Sequence, residues 1–79
     1  LPVLALIEMR AEDVQSARKQ LEKIEYVMAS YELMSRLNIA VIVEVESEQA
    51  LFEFLELKVR TIPGIKETKT HVIQNGIAF

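Results

Sequence analysis

The chain has 79 residues, with nine Lys+Arg against twelve Asp+Glu, a net charge of −3 and no cysteine. That length allows a single domain, and the missing cysteines exclude a disulfide scaffold and any Cys-based zinc centre while suiting a reducing compartment such as the cytoplasm. One histidine and two glycines leave no material for a His-rich metal site or a Gly-rich phosphate cradle, and the acidic balance argues against a chain whose main work is neutralising phosphates.

Pro2–Met9 is predicted as a strand, because Val3, Leu4, Ala5, Leu6 and Ile7 run apolar without alternation. The period then changes. Val14, Ala17, Leu21 and Ile24 form one apolar stripe of a helix, with Glu12 and Asp13 expected in its first turn and Lys23 in its last. Tyr26–Met34 returns to strand character, with Val27, Ala29, Tyr31 and Leu33 predicted on one face and Ser30 and Glu32 on the other. The polar break Ser35-Arg36-Leu37-Asn38 leads into Ile39–Val45, a β-branched strand apolar on both faces. Ser47 is a good N-cap for a second helix from Glu48 to about Thr61. At about 100° per residue, Gln49, Glu53, Glu56 and Arg60 gather into a narrow polar strip. Ala50, Leu51, Phe52, Phe54, Leu55, Leu57 and Val59 fill the remaining circumference, more apolar surface than one sheet contact requires. Pro63-Gly64 ends the helix. Ile65–Ile73 is a last strand in which Thr68, Thr70 and Val72 alternate with Lys69, His71 and Ile73, and Asn75-Gly76 signals a turn before the apolar tail Ile77-Ala78-Phe79.

The order β-α-β-β-α-β places the chain in the α+β class. Two split βαβ units with right-handed crossovers give a ferredoxin-like, four-stranded antiparallel sheet with both helices on one face. The first and third strands are nevertheless apolar on both sides, and such strands are normally buried on both. A domain of this size buries only about 60% of its unfolded surface, yet apolar residues make up 51% of the chain. The open face of the sheet is therefore expected to meet the same face of a second copy, forming a dimer.

Candidates for chemistry are few. His71 is the one side chain suited to neutral-pH acid–base work, but it has no Asp, Cys or Ser spaced for a triad and reads as structural or solvent-facing. Glu44 and Glu46 alternate at a strand end, where a solvated pair is the ordinary outcome. Met9, Met28 and Met34 suit core or interface filling, and Tyr26 and Tyr31 are explained by packing. Lys19, Lys23, Lys66 and Lys69 are scattered singly, so no nucleic-acid face emerges. Ser35-Arg36-Leu37-Asn38 stands out: a short β-β connection with a guanidinium fork and an amide can hold a small carboxylate, or be an ordinary polar turn.

The apolar first strand, the helix exit Ile62-Pro63-Gly64-Ile65 and the following Lys66-Glu67-Thr68-Lys69-Thr70 resemble the C-terminal module of the Lrp/AsnC transcription regulators, called RAM for regulation of amino-acid metabolism. The resemblance runs from about Val3 to Ile73, and the Pro-Gly exit before alternating threonines is its most specific part. It implies the β-α-β-β-α-β fold reached above, dimers paired sheet to sheet as an α/β barrel, and further assembly, often to an octamer. It also implies binding of amino acids or related molecules at contacts between dimers, through the loop joining the second and third strands. That loop usually reads Thr-Gly, an acidic residue, an aromatic and Asp; here the positions are Met34, Ser35, Arg36, Leu37 and Asn38. Thr68 and Thr70 match threonines of the fourth strand and are expected to line the same cleft. With Arg36 in place of an acid and Asn38 in place of Asp, the expected preference moves toward carboxylate-rich metabolites.

These readings combine into a stand-alone effector-binding and oligomerisation module. It is expected to have no catalytic residues, metal or cofactor, no direct contact with nucleic acid or membrane, and no DNA-binding domain of its own. Its expected partners are further copies of itself, a small-molecule effector and full-length Lrp/AsnC regulators. No apolar run approaches the ~20 residues of a membrane span, and Leu1–Ile7 lacks the basic leader of a secretory signal. Two competing classes are a small dimeric α/β-barrel enzyme, of monooxygenase or isomerase type, and a purely structural oligomerisation module. An opening at Leu1 rather than methionine leaves a fragment of a longer regulator as an equal alternative.

Overall fold

In the computed structural model, which describes residues 2–77 and Phe79, the chain forms β1 (Val3–Ala11), α1 (Val14–Leu21), β2 (Val27–Glu32), β3 (Ile39–Val45), α2 (Glu48–Phe54) and β4 (Ile65–Ile73). Leu1 and Ala78, included above in the leading segment and the apolar tail, lie outside the described residues. The strands make one antiparallel sheet in the order β2-β3-β1-β4, so each βαβ unit straddles a strand of the other. This is the ferredoxin-like topology expected from the element order.

Strand alternation divides the sheet into two faces. Ala5, Ile7, Met9 and Ala11 of β1 and Ile39, Val41, Val43 and Val45 of β3 point toward the helices, where they meet Ala17 and Leu21 of α1 and Leu51 and Phe54 of α2 in one buried core. The other face carries Leu4, Leu6, Glu8 and Arg10 of β1, and in register with them Glu44, Ile42 and Ala40 of β3 and Ile73, His71, Lys69 and Glu67 of β4. Among the described residues no helix covers this second face. Leu4 is 38% exposed there, whereas Ala40 is buried to 6% by its neighbours alone.

Local chemistry explains most boundaries. The Asp13 carboxylate accepts the Ser16 N–H at 3.0 Å, capping α1. Asp13 is thus the cap rather than a first-turn residue. The helix ends at Leu21, so Lys23 and Ile24 lie beyond it; the Ile24 N–H turns back to the Leu21 carbonyl at 3.0 Å. Ser47 caps α2 as expected, its hydroxyl accepting the Ala50 N–H at 3.1 Å. Gly64 adopts φ +85°, a left-handed conformation that a side chain disfavours, and its carbonyl accepts the Glu12 N–H at 3.0 Å.

Two local irregularities depart from the sequence expectations. The regular helix stops at Phe54 and continues as a π-type turn, Leu55–Val59, in which the Arg60 N–H reaches the Leu55 carbonyl at 3.0 Å. In an unbroken α-helix Lys58 would sit near the centre of the stripe defined by Leu51 and Ile62. The wider turn rotates Lys58 outward and brings Val59 to complete burial. A β-bulge between Val27 and Ala29 corrects the expected facing of β2. Val27 pairs with Val43 and joins the core side, but Ala29 and Tyr31 pair with Ile42 and Ala40 and lie on the open face, opposite Val27.

Candidate functional site

The β2–β3 loop is closed at its base by the Leu33 N–H, which donates to the Asn38 carbonyl at 2.8 Å. Asn38 then does what a strand residue would do. Its side-chain oxygen accepts the Ala11 N–H at 2.9 Å, and its amide nitrogen donates to the Ala11 carbonyl at 3.0 Å. β1 runs two residues past its last pairing with β3, at Met9–Ile39, and the Asn38 amide satisfies the backbone there. Its hydrogen-bonding capacity is therefore directed into the fold.

Arg36 leaves the loop and reaches β4. Its Nη1 and Nη2 donate to the two carboxylate oxygens of Glu67 at 2.5 and 3.1 Å, a bidentate pair. Arg10, the register partner of Glu67, brings its Nε to 4.0 Å from the same Oε1. The hydrogen bond from Arg36 chiefly holds the Glu67 carboxyl below its usual range; desolvation opposes this, and the charges of Arg36, Arg10 and Lys69 add to it. The same bond raises the Arg36 guanidinium. Met34 and Ser35 are exposed and Leu37 is half-buried.

Thr68 and Thr70 pair with Met9 and Ile7, so their side chains take the helix side of β4, while Glu67 takes the open side. Within one chain the candidate set is thus divided between the two faces of the sheet. A shallow depression of about 350 Å³ lies beside Thr68, lined by Arg60, Ile65, Lys66, Glu67 and Thr68. His71 is on the open face with its Nε2 2.9 Å from a Glu8 oxygen. Glu44 also faces that side, opposite Leu4, and Glu46 follows the end of β3. Among the described residues no helix is long and apolar enough to cross a membrane.

Sequence reasoning singled out Arg36 and missed its partner Glu67, 31 positions away. Alternation along β4 assigns Glu67 a face, but only the strand order brings that face to the loop.

The family model described as the Lrp/AsnC ligand binding domain matches residues 3–78. Among solved structures, AsnC of E. coli superposes with a TM-score of 0.88 at 28% identity, covering 98% of this chain and 54% of AsnC. FFRP-DM1 gives 0.85 at 26% identity, covering 91% of this chain and 99% of that one. The transcriptional regulator NMB0573 of Neisseria meningitidis, solved as a complex with L-Met, gives 0.83 at 14% identity over 98% of this chain and 53% of its own, a likeness of fold. A search of the curated proteins returns no match. The chain spans about half the length of AsnC and nearly all of FFRP-DM1. By the family match over almost its whole length and by its fold, the chain belongs to the Lrp/AsnC family, as a ligand-binding domain.

Proposed function

We propose that the chain is the effector-sensing and self-association module of a transcription regulator, with the effector held at the β2–β3 loop. The observation that carries this reading is the match to a ligand-binding family over residues 3–78. It is supported by a loop that presents an exposed guanidinium and hydroxyl, Arg36 and Ser35, at its tip. In this reading Met34, Ser35, Arg36, Leu37 and Asn38 of one copy face Thr68 and Thr70 of another, since those threonines point away from Arg36 within a single chain. Two copies cover each other's open sheet face, dimers associate further, up to an octamer, and DNA contact is left to full-length regulators that join the assembly in the cytoplasm. Because Asn38 is engaged with Ala11, Arg36 sets the preference, which favours metabolites rich in carboxylate. No catalytic role is proposed.

The Arg36–Glu67 pair favours one competing reading, a structural module in which the loop is simply tethered to β4. Titration calorimetry with a panel of amino acids, including L-Met, and organic acids separates the two. The proposal expects at least one member to bind and to lose about tenfold or more in Arg36→Ala, as loss of a charged hydrogen-bonding partner requires. A ligand that binds both proteins equally removes Arg36 from the site. No binding at all, with Arg36→Ala breaking up the assembly, decides for the structural module.

A further inference from the structure

His71 is the only histidine of the chain, and the effector site proposed above makes no use of it. Its Nε2 stands 2.9 Å from the Glu8 Oε1, and among the described residues Glu8 makes no other ion pair. Both side chains lie on the open face of the sheet, Glu8 on β1 and His71 on β4. Apolar groups adjoin the ring there. Leu6 is the register partner of His71, Ile73 lies two positions further along β4, and Leu4 and Ile42, the partners of Ile73 and Leu6, extend the same patch. A second sheet that buries Leu6 and Ile73 therefore covers the imidazole beside them. The other charged groups on this face are Arg10 of β1, Glu44 of β3, Glu67 and Lys69 of β4, and Arg36 of the loop, which is committed to Glu67; β2 presents Tyr31. A second copy brings the same set. Lys69 is the nearest like charge to His71 along the strand, two positions or about 7 Å away, so the 2.9 Å contact with Glu8 outweighs it.

We infer that the Glu8–His71 pair makes association through the open face pH-dependent, the dimer tightening as His71 takes up its proton. This rests on the sheet-to-sheet pairing in the proposed function and adds a control on it. In the separate chain the pair is in contact with water, and protonation gains little. Under a second sheet a Glu8 carboxylate facing a neutral ring is a covered charge, incompletely compensated, whereas an imidazolium supplies a charge-assisted bond. Covering opposes a charge on the ring taken alone, but here charging the ring neutralises the pair. Imidazole ordinarily exchanges its proton between about pH 5 and 8, a window in which the surrounding carboxylates, amines and guanidinium groups ordinarily keep their charge. The associated form thus holds more protons than the separated one, and by linkage association strengthens as pH falls through that window.

The experiment is sedimentation equilibrium over a dilution series of wild type, His71→Gln and Glu8→Gln, at about pH 5.5 and about pH 8. Wild type should associate about tenfold more tightly at the acid end, two pairs per dimer contributing about threefold each. His71→Gln keeps a hydrogen-bond donor but cannot titrate, and should give one dissociation constant at both pH values. Glu8→Gln leaves a covered imidazolium without its anion and should reverse the trend, associating more weakly at the acid end. For a dimer too tight to dilute apart, the urea midpoint at fixed protein concentration gives the same comparison. A wild type that associates equally at both pH values, or more weakly at the acid end, overturns the inference and leaves the proposed function standing. So does a pH dependence that persists unchanged in His71→Gln, which assigns it to other groups. A wild type that is monomeric at both pH values overturns the sheet-to-sheet pairing, and the inference with it.

Discussion

Asn38 and Arg36 sit two positions apart in one loop and have opposite assignments. Asn38 replaces two backbone ladder bonds at Ala11, so Asn38→Ala should destabilise the fold by about 1–3 kcal/mol, the cost of leaving a partly buried N–H and carbonyl unpaired. Urea unfolding checks this, and a loss below the error of the method contradicts it. Arg36 instead makes an exposed pair whose imprint is a titration. Glu67 is held below the usual carboxylate range by the Arg36 hydrogen bond, so it takes up its proton less readily in the folded chain than in the unfolded one. The pair's contribution is therefore present above the ordinary carboxylate range and fades as pH falls through the lowered Glu67 value. Following the Glu67 carboxyl by NMR should show it titrating below its usual range in wild type and moving back up in Arg36→Ala. The loop was legible in the sequence as the one place combining a cation, an amide and a hydroxyl. That the amide serves Ala11 and the cation serves Glu67 was not, because both partners lie about 30 residues away and meet the loop only through the strand order.

At the scale of elements, apolar period and caps located all four strands and both helices, and the misses have physical causes. The stripe Val14, Ala17, Leu21 and the Ser47 cap read directly. The bulge at Met28 adds one residue to β2 without any change of composition, so nothing in the alternation announced that Tyr31 turns to the open face. The π-type turn had a signal: a regular helix puts a lysine, Lys58, in the middle of its buried stripe, a conflict that one wider turn relieves. Val59 is the residue gained by that turn and is fully buried. Val59→Ala should therefore cost about 2–3 kcal/mol through lost burial and the cavity left behind; thermal or denaturant unfolding within 0.5 kcal/mol of wild type, about the size of an ordinary surface change, would mean the turn carries no packing load.

The whole molecule has more apolar surface than one layer of helices covers. Phe52 and Leu57 on the outer side of the second helix are 53% and 66% exposed, and Leu4, Leu6, Ile42 and Ile73 lie on the open face of the sheet. Register distinguishes two neighbours in β3: Val41 faces the core and Ile42 the open side. A lysine at Val41 should abolish folding, because an unpaired buried charge costs several kcal/mol against a total stability of about 5–15. A lysine at Ile42 should instead separate the copies and lower the melting temperature. Light scattering on the purified wild-type chain and Ile42→Lys at micromolar concentration decides whether the open faces meet. A dimer or a multiple of it is expected for wild type and a smaller species for Ile42→Lys; a well-folded wild-type monomer of 9.0 kDa would contradict sheet-to-sheet pairing.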